Sequence, residues 1–473
     1  MVSDLCFTSG RELAESIRAR KISAREVMSA FLRQIDRVNP KINAIVAKLD
    51  DDKCLALADE ADRRLAHGDD VGCLHGLPFA FKDLDPAVGF PMTRGSPIFK
   101  DFMPSEDSAL VERLRRAGVL AIGKTNVSEF GMGSHSYNEV YGTTLNPYDL
   151  TKSAGGSSGG AGAALAAGLL PLASGSDLGG SLRNPANFNN IVALRPTVGL
   201  VPAAPVALPF LGFSVKGPMA RSVSDVAFLL SAMAGAHPRD PAVYPSEPSV
   251  FAKPLGRDFR DVRVAWCADL GGLPLDHRVR SVLEAQRQTF TGLGCEVEDA
   301  CPDLTGADEI FLTLRAWNYW HTLGPLLKEH RSKMKEEAVW QIESGSRYSG
   351  AEIALAMNRH GELMERVRRF QDKYEFLVCA VNQVPPFDAA IHWPREIEGV
   401  AMENYLSWMK SAYWISATFH PAISVPAGFT DDGLPVGIQI VGRYRDDLGV
   451  LQIAHAFEQA TGFGRRRPEI AMA

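Results

Sequence analysis

Two serine motifs lie close together in this sequence. Residues 153–183 read SAGGSSGGAGAALAAGLLPLASGSDLGGSLR, with Ser157 and Ser181 in glycine-rich surroundings. Gly179 and Gly180 directly precede Ser181, and glycines can turn successive backbone N–H groups toward one point, as an oxyanion hole requires. A serine beside its own oxyanion hole suits acyl transfer, provided that a base takes its proton. The stretch therefore predicts a nucleophile at Ser181.

The base predicted for this serine is Lys82, with Ser157 between the two. Lys82 stands near the end of GLPFAFKDL, whose alternating apolar side chains predict a strand. Lysine acts as a base only when neutral, and lowering its pKa toward neutrality costs roughly 4 kcal/mol at about 1.4 kcal/mol per unit. Burial at the end of an apolar strand supplies this, so Ser157 would relay a proton between Lys82 and Ser181.

An ordinary structural role is an alternative explanation for each of these residues. A lysine that ends a strand is usually exposed, a serine before a helix often caps it, and two glycines often form a plain turn. The joint arrangement of Lys82, Ser157 and Ser181 favours the catalytic interpretation.

A phosphate-loop match points to a rival function. Residues 118–125 read GVLAIGKT and fit G-x-x-x-x-G-K-[ST], the pattern of a nucleotide-binding protein. That loop needs a strand before it and a helix after it. Here Gly118 ends a helical pattern and the four residues after it have the composition of a strand. Lys124 is therefore predicted to be structural.

A second match, G-x-S-x-G at residues 156–160, would make Ser158 the nucleophile of an α/β-hydrolase. Such a serine needs a strand directly before it, whereas LNPYDLTKSA is predicted to be a polar loop. Three histidines lie late enough in the chain for that family's order, and each is interpreted as a polar or core-edge residue: His392, His420 and His455.

Alternating helices and strands must position these residues. A capping box at Ser23 and Glu26 predicts a helix to Pro40. Apolar spacing predicts further helices near 52–67, 107–117 and 276–290, after Ser158 and after Asp447. Strands are predicted in GLPFAFKDL, VLAIG, VRVAW, CEVED, AISVPAGF and LPVGIQIVG. The alternation predicts an α/β fold, a sheet covered by helices on both faces.

Residues 303–375 differ from the rest in having long charged helical patterns. They also carry an aromatic cluster of Trp317, Tyr319 and Trp320. We interpret this stretch as a helical insertion or cap within one domain that spans residues 1–473.

The composition excludes several classes of protein. A chain of 473 residues that is 46% hydrophobic can bury a large core. Its net charge is −6 and its cationic residues are dispersed along the chain, so the sequence shows no basic patch for nucleic-acid binding. The longest apolar run, near 161–173, is too short to cross a bilayer, and the N-terminus lacks a signal core.

Seven cysteines without a CxxC pair indicate reduced thiols and no zinc site. We expect a cytoplasmic enzyme. The cysteines are Cys6, Cys54, Cys73, Cys267, Cys295, Cys301 and Cys379.

These motifs together resemble the amidase signature family. The resemblance lies in GGSSGG at 155–160, GSDLGGSLRNPA at 175–186 and ALRPT at 193–197. It extends to GLPFAFKDL, GKTNVSEFGMG, KGPMARSVSDVAFLL, HPAISVPAGF and DGLPVGIQIVG, and so covers most of the chain. It implies the family's α/β fold, a large mixed β-sheet with helices on both faces.

The resemblance also implies a role for each site residue. Ser181 would be the nucleophile, Ser157 a bridging serine held by a cis peptide, and Lys82 the terminal base. The oxyanion hole would be made of the backbone N–H groups of Leu178, Gly179, Gly180 and Ser181. Three residues would support that loop: Ser158, Asp177 and Arg183. The residues expected to line the substrate pocket are Met132, Gly133, Ser134 and Trp317.

The predicted function is hydrolysis of a carboxylic amide through an acyl-enzyme, without cofactor or metal. An aryl amide, an ester or a carbamate is a candidate substrate, and the partner is a small molecule, not a nucleic acid or a membrane. A homodimer is a candidate assembly. The alternative within the family is the A-type subunit of a glutamyl-tRNA amidotransferase. The departures from the family pattern at Leu178, Asn189-Asn190 and Phe419-His420 favour a stand-alone amidase.

Overall fold

The computed structural model describes residues 4–472, which contain fourteen α-helices and fifteen strands. The helices are α1 (Gly10–Arg18), α2 (Ala24–Ile42), α3 (Asp51–His67), α4 (Ala109–Arg116), α5 (Gly159–Ala166), α6 (Arg183–Phe188), α7 (Val223–Met233), α8 (His277–Glu284), α9 (Arg287–Gly292), α10 (Ala307–His330), α11 (Glu336–Gly345), α12 (Gly350–Lys373), α13 (Lys410–Ala417) and α14 (Asp447–Thr461).

The strands form one large sheet, a three-stranded sheet and two hairpins. They are β1 (Ile45–Val46), β2 (Pro78–Lys82), β3 (Leu120–Thr125), β4 (Leu145–Asn146), β5 (Asp149–Ser153), β6 (Leu172–Asp177), β7 (Val192–Arg195), β8 (Val215–Ala220), β9 (Arg263–Trp266), β10 (Glu296–Asp299), β11 (Phe376–Ala380), β12 (Glu396–Ile397), β13 (Val400–Ala401), β14 (Ala422–Phe429) and β15 (Pro435–Gly442).

The large sheet has eight strands in the order β10-β9-β11-β15-β14-β7-β8-β6. The first three strands run parallel, and the other neighbouring pairs are antiparallel. This mixed sheet with helices confirms the predicted α/β class.

Alternate side chains of the central strands enter two different hydrophobic cores, because successive strand residues point to opposite faces. On β11, Phe376, Val378 and Ala380 join the first core, and Leu377 and Cys379 join the second. Helices α2, α5, α7 and α14 complete the first core, and α10, α12 and α13 complete the second. Both faces of the sheet are therefore covered by helices, as predicted.

The three-stranded sheet carries Lys82 and Lys124. Its order is β1-β3-β2, with β2 and β3 parallel, and Lys82 is the last residue of β2. β2 also lies against β6, the edge strand of the large sheet. The GKT of the phosphate-loop match lies within or at the end of strand β3 and not at a helix N-terminus. Lys124 is fully buried, so the structural role predicted for it agrees with its position.

Several local predictions hold, and two are wrong. The capping box at Ser23 is present, and helix α2 runs past Pro40 to Ile42. The stretch predicted as a polar loop before Ser158 instead forms the β4–β5 hairpin, in which Leu145 pairs with Ser153. The single helix predicted over 276–290 is divided into α8 and α9.

The prediction of reduced thiols throughout is wrong at one pair. Cys267 and Cys301 form a disulfide with Cα atoms 5.3 Å apart. They follow the neighbouring parallel strands β9 and β10, whose ends Trp266 and Asp299 are in register. That register, which cysteine spacing does not reveal, brings the two thiols together. Among the described residues, no helix is long and apolar enough to cross a membrane.

Candidate active site

Lys82 lies at the centre of a group of serine hydroxyls. Its side chain is fully buried, and its Nζ donates to Ser157 Oγ at 2.9 Å, to Ser158 Oγ at 2.8 Å and to Ser176 Oγ at 2.9 Å. β2 brings the lysine to this point and β6 brings Ser176, whereas the two adjacent serines precede α5. Among residues 4–472, its hydrogen-bond partners are therefore neutral serine groups, the Ser176 carbonyl at 3.4 Å included, and not a carboxylate.

Burial lowers the pKa of Lys82 to about 7. Desolvation is the main cause, and the ammonium of Lys216 lowers the pKa further, against the opposing effects of Asp85 and Asp177. Near neutral pH a large fraction of this amine is thus unprotonated. A neutral amine that is hydrogen-bonded to a serine can accept that serine's proton.

Ser157 and Ser181 both line one cavity of about 280 Å³, together with Ser176. The peptide bond between Gly156 and Ser157 is cis, the form that the family resemblance implied. The side-chain hydroxyls of Ser157 and Ser181 do not hydrogen-bond to each other in this structure, although the backbone N–H of Ser158 donates to Ser181 O at 3.3 Å. Hydrogen bonds between catalytic groups are often long in an enzyme without substrate.

The turn before Ser181 is fixed by Asp177. Gly180 has φ +114°, and a Cβ there would lie 2.5 Å from the Asn184 side chain, so the position requires glycine. The Gly180 N–H donates to Asp177 Oδ1 at 2.7 Å. That N–H, predicted to be part of the oxyanion hole, is therefore already used. In the described part of the chain, the other three predicted N–H groups have no acceptor: Leu178, Gly179 and Ser181.

Asp177 is held by two buried arginines. Arg183 Nε and Nη2 donate to its two oxygens at 3.0 Å each, and Arg195 Nη1 lies 3.3 Å from Oδ1. Their positive charges hold the pKa of Asp177 well below its usual range, against its burial. Arg183 was predicted from the sequence to support this loop. Arg195 was missed, although it lies in the ALRPT motif.

Ser158 has a different position from the one expected of an elbow nucleophile. It is fully buried against Lys82 and does not line the Ser181 cavity. Among the described residues, none of the three candidate histidines hydrogen-bonds to it: His392 pairs with Glu337, His420 bonds to Thr418, and His455 lies near Ser224. Ser176, which also contacts Lys82, was missed. The only signal for it was its place beside Asp177 in the GSDLGGS motif.

The four predicted pocket residues do not line this cavity. Met132 and Gly133 line a separate, smaller cavity of about 20 Å³. Ser134 Oγ donates to Gly156 O at 2.9 Å and so supports the serine loop. Trp317 packs against the second core. The same two segments reach the cavity through neighbouring residues: Phe130, Gly131, Asn318, Tyr319, Thr322 and Leu323.

Local geometry explains these shifts by one or two residues. Phe130 has φ 52°, and in this kinked turn Phe130 and Gly131 line the Ser181 cavity, whereas Met132 and Gly133 line the small separate one. On α10, Asn318 and Thr322 are four residues apart and share one face, whereas Trp317 is rotated about 100° from Asn318. The sequence located the segments but not the side of each segment that meets the cavity.

One group of described residues could hold a metal ion, and it lies elsewhere. Asp276, His277 and Glu398 bring their ligand atoms within 4.8 Å of one another. The Asp276 carboxylate already binds Arg278, and Glu398 already binds His277. None of the three lines the Ser181 cavity.

Comparisons with known proteins show the relatives of this chain. The Amidase family pattern matches residues 26–451. An acylamidase of Rhodococcus erythropolis is 34% identical over 475 residues, which cover 98% of each chain. The A-type subunit of the glutamyl-tRNA(Gln) amidotransferase of Thermosynechococcus vestitus is 30% identical, covering 97% of this chain and 99% of its own.

The fold also matches a solved structure. A bacterial aryl acylamidase of the amidase signature family superposes with a TM-score of 0.91 at 27% identity, over 99% of both chains. These findings confirm the predicted class, a hydrolase of carbon–nitrogen bonds in amides. The chain belongs to the amidase family, the amidase signature enzymes.

Proposed function

We propose that Ser181 is the nucleophile of a Ser181–Ser157–Lys82 triad. Ser181 Oγ bonds to the amide carbonyl carbon while its proton passes to Ser157 and the Ser157 proton passes to the neutral Lys82 amine. The carbon–nitrogen bond then breaks, and the proton returns along the same path to the departing nitrogen. Water hydrolyses the acyl-serine by the reverse sequence. The contact between Lys82 Nζ and Ser157 Oγ at 2.9 Å carries this proposal.

The carbonyl oxygen becomes negative during attack and needs hydrogen-bond donors. We propose the backbone N–H groups of Leu178, Gly179 and Ser181 for this role, because each is left without an acceptor in the described structure. The Gly180 N–H instead holds the turn through Asp177. Asp177 and its two arginines thus position the donors without contacting the substrate.

We propose a small carboxylic amide as the substrate, with an aryl group on one side of the scissile bond. The names acylamidase and aryl acylamidase, given to two of its relatives, support this class. Phe130, Tyr319 and Leu323 give the cavity an apolar wall that an aryl ring can contact. Esters and carbamates remain candidates, because their hydrolysis passes through the same kind of oxyanion.

A fluorophosphonate probe tests the nucleophile. The probe should label the wild-type protein at Ser181, as mapped by peptide mass spectrometry, and Ser181→Ala should lose both the label and anilide hydrolysis. Ser158→Ala removes one hydroxyl beside Lys82 but leaves Ser181 in place, so it should keep the label. Labelling at Ser158 would contradict the proposal and support the elbow hypothesis.

The amidotransferase component remains a second candidate, because relatives with that name match nearly the whole chain. The isolated chain should hydrolyse anilides at a rate that does not depend on any other protein. Hydrolysis of glutamine only in the presence of partner proteins would favour the alternative. Hydrolysis rates of the purified chain on anilides and on glutamine separate the two.

Four further predictions await their own tests. They are a single catalytic domain over 1–473 with residues 303–375 as a helical insertion, a homodimer, a cytoplasmic location and the absence of a nucleic-acid partner. Sedimentation velocity tests the assembly directly.

A further inference from the structure

Two cationic side chains line the Ser181 cavity and take no part in the proposed proton transfer. They are Arg94 and Lys216, and no Asp or Glu is among the described residues that line this cavity. A cavity for a neutral amide needs orienting polar groups but no net positive charge. The charge of the cavity therefore bears on the kind of substrate that it accepts.

The backbone of Arg94 is hydrogen-bonded to Asp83, the residue that follows the strand carrying Lys82. Its backbone N–H donates to Asp83 O at 3.2 Å, and its own carbonyl accepts from the Phe130 N–H at 2.8 Å. Its φ is 55°, a conformation that non-glycine residues rarely adopt. These contacts fix the residue between Lys82 and the loop that lines the cavity.

The Arg94 guanidinium has no acceptor. It stacks on Phe99, 4.8 Å from the ring centroid, and within the described chain it makes no hydrogen bond or ion pair. Asp83 acts on it electrostatically, but both oxygens of that carboxylate accept from Thr93. A half-buried guanidinium with its donors unused is suited to a carboxylate, whose two oxygens match its planar fork.

Lys216 adds positive charge beside the reacting residues but is already paired. It lies on β8 directly opposite Ser176, and its Nζ binds the buried Asp85 carboxylate. Asp85 Oδ2 has no partner in the structure. Lys216 therefore contributes to the potential of the cavity, whereas Arg94 holds the free donors.

We propose that the cavity selects amides that carry a carboxylate, and that Arg94 binds this carboxylate. The inference rests on the proposed function and narrows its substrate class. Loss of a charge-assisted hydrogen-bond pair should lower kcat/KM for such a substrate about 10- to 100-fold. The neutral part of the substrate would still meet the apolar wall, so a neutral analogue should lose little.

Two pairs of anilides test this, each pair differing by an isopropyl group in place of the carboxylate. Succinanilic acid and 4-methylpentananilide vary the acyl side. The pair 4-acetamidobenzoate and 4-isopropylacetanilide varies the amine side. Release of the aniline gives kcat/KM for the wild type, Arg94→Ala and Arg94→Lys. Arg116→Ala is the matched control, because Arg116 is exposed on α4 and paired with Glu112.

We expect the wild type to prefer the carboxylate member of one pair at least 10-fold, and the pair identifies the side that Arg94 faces. Arg94→Ala should remove that preference, Arg94→Lys should keep part of it, and Arg116→Ala should keep all of it. Equal turnover of both members, or equal losses on both in Arg94→Ala, would overturn the inference while the proposed function stands. A protein that the fluorophosphonate does not label at Ser181 would overturn both.

Discussion

Lys82 and Lys124 are two fully buried lysines on adjacent parallel strands with different surroundings. Lys124 is in register with Phe81, so Lys82 points to the opposite face of the small sheet. Lys82 contacts three serine hydroxyls. Lys124 donates to the carbonyl of Asp85 and is stabilised as an ammonium by Asp83 and Asp85.

The comparison of Lys82 with Lys124 shows that burial alone does not make a lysine a base. Burial lowers the pKa of both lysines, the charge of Lys216 lowers both further, and nearby carboxylates oppose the shift in both. The two lysines differ instead in their hydrogen-bond partners. A hydroxyl can accept from an ammonium or donate to a neutral amine, so Lys82 keeps its partners when it gains or loses a proton. A buried lysine bonded to hydroxyls is suited to proton transfer, and one bonded to a backbone carbonyl, which only accepts, is suited to structural support.

The largest effect on activity should come from Lys82→Arg. The guanidinium keeps the charge but does not deprotonate at accessible pH, so kcat should fall about 1,000-fold. Activity should not return up to pH 10, as initial rates on an anilide will show. Near-UV circular dichroism checks the fold, and Lys82→Met serves if the larger side chain is not accommodated. A folded variant of either kind with near-normal kcat would refute the triad.

The pH profile sharpens the same contrast. The pKa of Lys82 is lowered to about 7, and only its neutral form accepts a proton. Activity should therefore rise with pH through about 7 to a plateau and fall about tenfold for each unit below it. Measurement of kcat from pH 5 to 10 tests this. A flat profile would place the base elsewhere.

Ser176→Ala should have an intermediate effect. It removes one of the acceptors that favour the Lys82 ammonium, so the midpoint of the pH profile should move to lower pH and kcat should fall about tenfold. Ser174→Ala is the matched control, because Ser174 lies on the same strand, is also buried and has no hydrogen-bond partner. An identical profile in all three proteins would show that Ser176 does not tune the lysine.

Lys124→Met should have the smallest effect on activity and a clear effect on stability. It removes the cation whose charge favours the ionised form of the buried Asp83 carboxylate, which should lower the free energy of unfolding by about 3 kcal/mol. Urea denaturation measures this, while kcat should stay within about threefold of wild type by the same reasoning. Loss of activity with unchanged stability would reverse the roles assigned to the two lysines.

The fold class was predictable because long-range pairing followed local patterns. Alternating apolar residues marked strands such as β14 and β15, and helical spacing marked α2 and α14. The β4–β5 hairpin was missed, because its residues are mostly polar and mostly not buried. The disulfide was missed because it depends on the register of β9 and β10, which a count of cysteines does not contain.

Part of the site was predictable from the family motifs. The sequence predicted that Lys82 and Ser157 lie close together, because both stand in such motifs, and the structure places them in contact. Their catalytic roles stay predictions. Ser176, Arg195 and Lys216 lie in motifs that carry the family resemblance, but they were assigned no role, because each acts through strand pairing and burial that a motif does not show. Arg94 was missed because the role proposed for it depends on its guanidinium having no acceptor among the described residues, which only the three-dimensional structure reveals.

Helix α10 serves two purposes along its length. Its first turns supply Ile310, Phe311 and Leu314 to the second core, and later turns present Asn318 and Thr322 to the cavity. The serines and the lysine of the proposed triad lie on other segments. Natural or directed evolution can therefore alter substrate preference at positions 318 and 322 with little risk to folding. A two-position library there is small enough to screen completely.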